Sequence, residues 1–290
     1  MREKILMILL VLLPVTAQAT TLTVGYDGCD YVNIQTAIDA AIPGDTIDVH
    51  SGTYYENVNV NKPVILKGEN KSAEMPVVDA GNKGSVITLS ADGVTVVGLN
   101  ITNSGNNLPG EVQGGIRVIS DNNTIVGNDV SYNKNGIVLR YSNNSIIKYN
   151  TVCNNKGHGI LLYSCNRNVI LGNNASNNNH DGRYYGNGIC IDTKSDNNTI
   201  EGNNAHQNGD DGILISSSRD NNVVENNVSG NGAGGIHLNC VGLGNTVKRN
   251  NAVDNRFGIY LTTAYFNRIY LNNFINNTNI GNRQNKVIII

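Results

Sequence analysis

A single pattern, apolar-x-x-Asn-x-apolar, recurs seven times and constrains this chain more than any other feature. It reads Ile125-Asn128-Val130, Ile147-Asn150-Val152, Ile170-Asn173-Ala175, Ile200-Asn203-Ala205, Val223-Asn226-Val228, Val247-Asn250-Ala252 and Ile269-Asn272-Phe274, at steps of 22, 23, 30, 23, 24 and 22 residues. A second pattern, Gly-apolar-x-apolar, interleaves with it from Gly115-Ile116 through Gly136-Ile137, Gly159-Ile160, Gly188-Ile189, Gly212-Ile213 and Gly235-Ile236 to Gly258-Ile259. Alternation with a period of two turns one face of a short strand inward. Two or three such strands per repeat, with no helix between them, exclude a βαβ unit. A coil in which each strand pairs with its counterpart one turn later fits the period. The expected fold is all-β: a single-stranded right-handed parallel β-helix (solenoid) of about ten rungs. The aligned asparagines should form a hydrogen-bonded column. The glycine before each isoleucine suits a turn with positive φ.

The first hundred residues read as the same fold with irregular rungs. Asn33 to Ala41 reads as a short amphipathic helix, with Asn33 as N-cap and Gly44 just past its end, placed to cover the open apolar end of the coil. At the other end Val287-Ile288-Ile289-Ile290 is apolar. It either completes the last rung, covers the open end or makes a protein contact through the C-terminal rung.

Residues 1–19 read as a secretory signal peptide: Arg2 and Lys4, an apolar run from Ile5 to Val15, then Ala17-Gln18-Ala19. Residues 20–290 then form one β-helix domain that is secreted, periplasmic or on the cell surface, with no membrane span after cleavage. A net charge of -2 and a pI near 6.2 supply no basic field, so nucleic acid is not an expected partner. Five cysteines at scattered spacings offer no zinc or redox motif, and neither a metal site nor a cofactor is expected from spacing.

The stretch Tyr31 to Ala41, Pro43-Gly44-Asp45-Thr46-Ile47 and Gly52-Thr53-Tyr54-Tyr55-Glu56-Asn57-Val58 resembles the opening of NosD-like and pectinesterase-like β-helix proteins. The repeats Asn-Asn-x-Ile-x-x-Asn and Gly-Ile-x-Leu resemble those of the NosD-like group of exported archaeal and bacterial proteins, also described as carbohydrate-binding and sugar-hydrolase domains. The resemblance implies a β-helix and a polysaccharide partner, and it links the chain to copper assembly of nitrous-oxide reductase. Several motifs are missing. Gly52-x-Tyr54-x-Glu56 matches a pectinesterase signature, but that family's later catalytic segments have no counterpart. Gly157-His158-Gly159 precedes Asp210-Asp211, the reverse of the polygalacturonase order, and the Asp-Pro-His motif of mannuronan epimerases is absent. Copper(I) prefers Cys and Met clusters, and Met75 is the sole methionine after cleavage.

Rung lengths locate the unusual turn. Two half-rungs are long, Ile101 to Ile116 and Ala175 to Ile189, and both insertions leave the same edge of the coil, three rungs and about 14 Å apart. They should wall a cleft. One wall is Thr102 to Gly114; the other carries His180, Asp181, Arg183, Tyr184 and Tyr185. Lys134, Asn135, Lys156 and His158 lie on the floor, and Asn135, His158, Asn187 and Asp211 share one column. Tyrosines beside Asp, Arg and Asn suit a sugar ring and its hydroxyls. The expected function is polysaccharide or cell-surface glycan binding at this cleft. Lys134, Asn135, Lys156, His180, Arg183, Tyr184, Tyr185 and Asn187 would bind substrate. The alternative is a lyase, hydrolase or epimerase of uronate polymers, with His158, Asp181, Asp210 and Asp211 as acid–base residues. A third reading, copper-site assembly, comes from the resemblance alone. Asp210-Asp211 would suit calcium, although a turn pair is the simpler reading, and His206 and His237 read as inert outward residues.

Overall fold

The computed structural model describes residues 18–69, 74–105, 112–179, 186–240, 244–283 and 288–289. It is a right-handed parallel β-solenoid of three walls. One wall is a twelve-stranded parallel sheet running from Thr21–Val24 to Ile288–Ile289. The second is a ten-stranded parallel sheet running from Val58–Val60 to Asn279–Arg283. The third joins a three-stranded and a four-stranded sheet through isolated bridges from Asn100 across Asp129, Thr151 and Asn174 to Asn204. Both sequence patterns set the register: Ile125 pairs with Ile147 and Ile147 with Ile170, while Ile116 pairs with Ile137 and Ile137 with Ile160. The isoleucines, valines and leucines of these anchors fill one continuous core inside the coil.

Three asparagine ladders hold the corners, where the sequence pattern had exposed one. The first runs through Asn128, Asn150, Asn173, Asn203, Asn226, Asn250 and Asn272. The second runs through Asn133, Asn155, Asn178, Asn208, Asn231, Asn255 and Asn277. The third passes through Asn123, Ser145, Asn168, Asn198, Asn221, Asn245 and Asn267. In a typical step Asn203 Oδ1 accepts both the backbone N–H and the side-chain Nδ2–H of Asn173, at 2.9 and 3.0 Å. The Asn203 Nδ2 in turn donates to Ile170 O and to Asn226 Oδ1, both at 2.9 Å. A buried amide that makes every bond it can is the condition for placing so much polar surface inside.

Each ladder residue follows a residue in the left-handed region. Before the first ladder these are Gly127, Tyr149, Gly172, Gly202, Glu225, Arg249 and Leu271, with φ of 54–64°. A non-glycine residue there costs roughly 1 kcal/mol, which the ladder bonds offset. The glycine column before each isoleucine is different from its expected role. None of Gly136, Gly159, Gly188, Gly212 or Gly235 has positive φ. Those glycines are required by close approach: a Cβ on Gly188 would lie 2.7 Å from Gly212 O and 2.7 Å from the ladder amide of Asn208.

The helix spans Ile34–Ala40. Asn33 has the extended backbone of an N-cap, but its side chain makes no capping bond. Glu56 caps instead, its two oxygens accepting the Ile34 and Gln35 N–H groups at 2.9 and 3.0 Å. The Lys62 ammonium donates to Asp39 O and Ala41 O at the far end. The Tyr54 hydroxyl donates to His50 O at 2.8 Å, and burial pushes its phenol up to about 12. The Gly-x-Tyr-x-Glu signature is therefore structural here. At the C-terminus Ile288–Ile289 pairs with Arg268 and Ile269 and completes the last rung. Among the described residues all five cysteines are free, and no helix is long and apolar enough to cross a membrane.

Asn203→Ala should cost about 2–4 kcal/mol in chemical denaturation, because it strands two donors of Asn173. Gly202→Asn should be tolerated within about 1 kcal/mol, since φ is 61° and a Cβ meets nothing within 4 Å. Gly188→Ala should destabilise by more than about 2 kcal/mol.

Candidate functional site

The outer face of the ten-stranded sheet carries three lanes of side chains, one per outward position. The first lies two residues before each Gly-Ile isoleucine and holds Asn135, His158, Asn187 and Asp211, the column counted from the sequence. It is a fourth ladder. The Asn135 Nδ2 donates to Gln113 O at 2.8 Å, and its Oδ1 accepts the His158 N–H at 3.0 Å. The His158 Nδ1 accepts the Asn187 N–H at 3.3 Å. The Asn187 Oδ1 accepts the Asp211 N–H at 2.9 Å, and the Asp211 Oδ1 accepts the Gly234 N–H at 2.6 Å. The ladder needs an acceptor at each rung. Imidazole and carboxylate meet that need as well as an amide does, so two chemically active groups stand in asparagine positions.

The second lane is the residue after each isoleucine: Val138, Leu161, Cys190, Leu214, His237 and Tyr260, in register across the sheet. Its apolar members form a small cluster separate from the core. The third lane includes Asp192, Ser216 and Asn239. Where the lanes meet, a cleft of about 410 Å³ opens, lined by His158, Asn187, Asp192, Asp210, Asp211 and His237 with Cys190, Leu214, Ser216, Ala233, Asn239 and Tyr260.

Its centre is a buried carboxylate–imidazole pair. Asp211 is 2% exposed, and its Oδ2 lies 2.8 Å from His237 Nδ1. With Oδ1 held by Gly234, both oxygens are committed within the fold. The hydrogen-bond pattern assigns the Nδ1 proton to the Asp211 side, which leaves Nε2 as an acceptor, 3.2 Å from Thr262 Oγ1. Tyr260 lies 4.4 Å from the His237 ring and stacks on Phe257 at 4.9 Å. Half-buried Asp210 stands beside the pair. Burial first, and then the Asp211 charge, push its carboxyl above the usual range, with His237 opposing. Burial holds the His158 imidazole down at about 4, in keeping with an Nδ1 that accepts a hydrogen bond. Burial also drives the Cys190 thiol far up, so it is no nucleophile.

Of the residues expected from the sequence, the structure brings His158, Asn187, Asp210 and Asp211 together in the cleft. Asn135 supports His158 from the rung below rather than lining it, and Lys134 and Lys156 are not in the lining. His180, Asp181, Arg183, Tyr184 and Tyr185 lie outside the described residues. The residues that precede the two insertions, Ser104 and Asn178, do share one corner, both belonging to the second ladder's column. His237 corrects the sequence reading: it is the partner of Asp211. In the sequence the signal is the residue after each Gly-Ile isoleucine, a lane that sets His237 one rung beyond Asp211.

These features define a parallel β-helix with a cleft lined by carboxylates and imidazoles on one outer wall. The family model described as periplasmic copper-binding protein (NosD) matches residues 38–187 and 176–288, and the chain belongs to this family. A comparison with curated protein sequences gave no match. Among solved structures the chain is similar to the A-module of the Azotobacter vinelandii mannuronan C-5 epimerase AlgE4, at TM-score 0.60 and 16% identity over 88% of this chain and 93% of that one. The AlgE6 A-module from the same organism gives TM-score 0.60 and 19% identity over 82% and 76%. An alginate lyase from Paenibacillus sp. str. FPU-7 gives 0.53 and 16% over 88% and 97%. At these identities the likeness is one of fold.

A histidine kept neutral when folded takes up a proton once unfolded, so its contribution to stability is present above about 6.5 and is lost as pH falls toward about 4. The loss should reach up to about 3 kcal/mol, less where solvent meets the ring. His158→Asn, which keeps an acceptor in the ladder, should flatten the acid limb of stability measured by denaturation between about pH 7 and pH 4.5.

Proposed function

We propose that this chain is exported and binds polysaccharide along the cleft of the ten-stranded sheet, with acid–base residues placed to cleave the bound polymer. The observation that carries this reading is the buried Asp211–His237 pair opening beside Asp210 and Tyr260 in one cleft. Tyr260 gives the cleft an aromatic wall, while Asn187, Asn239 and Ser216 offer donors and acceptors for hydroxyls. The described lining holds three carboxylates and no lysine or arginine. That charge favours a neutral glycan over a uronate polymer. In this reading Asp211 orients His237, whose Nε2 takes a proton from the attacking water. Asp210, whose carboxyl burial and the Asp211 charge push above the usual range, gives a proton to the leaving glycosidic oxygen.

The family description raises copper, and the donors decide how far it can be carried. Copper(I) selects thiolates and thioethers. Among the described residues Met75 is the only methionine, and burial pushes the Cys165 thiol up to about 11 and that of Cys190 further. Among the described residues the five free cysteines enter no cluster of ligating side chains, so the donors do not fit copper(I), and no step is routed through it.

A glycan array followed by calorimetry on the best polymer tests the reading. Tyr260→Ala should weaken binding at least about tenfold, the order expected for a lost aromatic contact. His237→Ala and Asp210→Asn should keep binding and lose release of reducing ends. Binding that survives Tyr260→Ala, or that disappears only in Tyr184→Ala/Tyr185→Ala, would move the site away from this cleft. Bound polymer left uncut by the unaltered protein would remove the hydrolytic part.

A further inference from the structure

A second cluster of reactive side chains lies at the N-terminal end, on the outer face of the twelve-stranded sheet and apart from the cleft. Asp48 and His50 alternate to the same side; the register sets Lys67 above Asp48, and one residue past the paired strands Glu69 meets His50. The His50 Nε2 lies 3.2 Å from Glu69 Oε2. One ligand atom each from Asp48, His50 and Glu69 fall within 4.8 Å of one another. Behind the ring, His50 Nδ1 lies 3.2 Å from Cys29 Sγ. Gly25 makes that packing possible: a Cβ there would stand 2.7 Å from Cys29 Sγ and 3.2 Å from His50 Cβ.

The hydrogen-bond directions are informative. The Cys29 thiol points to Asp27 O at 3.6 Å, so its sulfur is open to accept from His50 Nδ1–H. The lone pair of Nε2 is then aimed at two carboxylates. In that tautomer one imidazole nitrogen and two carboxylates face one another, a donor set that a metal ion can join. An independent feature points the same way. The Oδ1 of Asp48 is sealed from solvent without a hydrogen-bond partner, and the Lys67 ammonium reaches only to 3.5 Å from it. Side-chain exposures of 30% for His50, 16% for Asp48 and 11% for Glu69 leave an entry on the imidazole side.

We propose that Asp48, His50 and Glu69 bind a divalent transition-metal ion of zinc type, with Cys29 fixing the tautomer of His50 from behind. One imidazole nitrogen and two carboxylate oxygens form a common borderline donor set, and it leaves coordination positions for water. Ligand atoms sharing one zinc stand about 3.3 Å apart, which small rotamer changes reach from the spacing seen here. A positioning group on the far ring nitrogen is what a metal-bound histidine ordinarily has. The site is independent of the polysaccharide reading, because it shares no residue with the cleft. It also differs from the thiolate–thioether donors that copper(I) selects.

The test is titration of the purified, metal-stripped protein with Zn²⁺ by calorimetry in two buffers of different ionisation enthalpy, with Co²⁺ absorption as a second readout. A single equivalent should bind, with the same stoichiometry in both buffers. His50→Ala should abolish binding. Glu69→Gln should weaken it while leaving the metal-free melting temperature close to that of the parent. Lys67→Met should tighten it by removing a competing charge. Cys29→Ala should weaken it roughly 10–100-fold, as loss of a positioning contact does. Failure of the parent protein to bind Zn²⁺, or unchanged binding in His50→Ala, overturns the proposal. So does a sulfur-to-cobalt charge-transfer band that disappears in Cys29→Ala, since the metal would then sit on the thiol side of the ring.

Discussion

The corner is the constraint on which this solenoid depends. A coil of some two dozen residues per turn must bend the backbone sharply three times without leaving polar groups stranded in the core. It does so with residues in the left-handed region, each followed by an asparagine whose amide bonds to the rungs on either side. Glycine is used at some of these positions, but Tyr149, Arg249 and Leu271 are tolerated as well. The strain is local, whereas the compensation runs along the whole column. Removing one ladder residue leaves its neighbour's donors unpaired inside protein, so the ladders act collectively.

The same device positions the candidate site. Beside the cleft the column reads Asn135, His158, Asn187, Asp211, and the backbone at each rung still finds its acceptor. An imidazole and a carboxylate can therefore be built into the wall with little structural cost. Their orientation is dictated by the ladder rather than by a mobile loop. His237 and Tyr260 come from the adjoining lane, on the two following rungs, and sheet register alone brings them to Asp211 and to each other. Rigid placement of this kind suits acid–base chemistry, which is sensitive to small displacements.

Membership of the NosD family and likeness to alginate-acting β-helices bear on different questions. The family model covers most of the chain and shares its repeat. The solved structures share the coil at 16–19% identity, which says how the chain runs and not what it acts on. The chemistry must be argued from this chain's own residues. They form an acidic, partly aromatic cleft on one wall and a compact nitrogen–oxygen donor cluster on another.

The solenoid, its rung boundaries, both principal registers, the helix at its start and the column that holds His158 and Asp211 are all legible in the amino-acid order. All of these repeat at a fixed period, and a period is a one-dimensional property that a linear reading recovers. It assigned the glycine column to turn conformation. Only the stacked rungs show that those glycines make room for a neighbouring carbonyl and a ladder amide. It made Asn33 the helix cap, whereas Glu56 reaches back from 21 and 22 residues along the chain to do so. It treated His237 as an isolated residue and found no ligand spacing around His50. Tertiary structure decided both, because the partners lie one rung away, 26 residues back for Asp211 and 19 residues on for Glu69. In a β-helix, groups far apart along the chain are adjacent across the 4.8 Å or so between strands. Contacts of that kind carry no local signature, and only the register of the folded coil brings their atoms together.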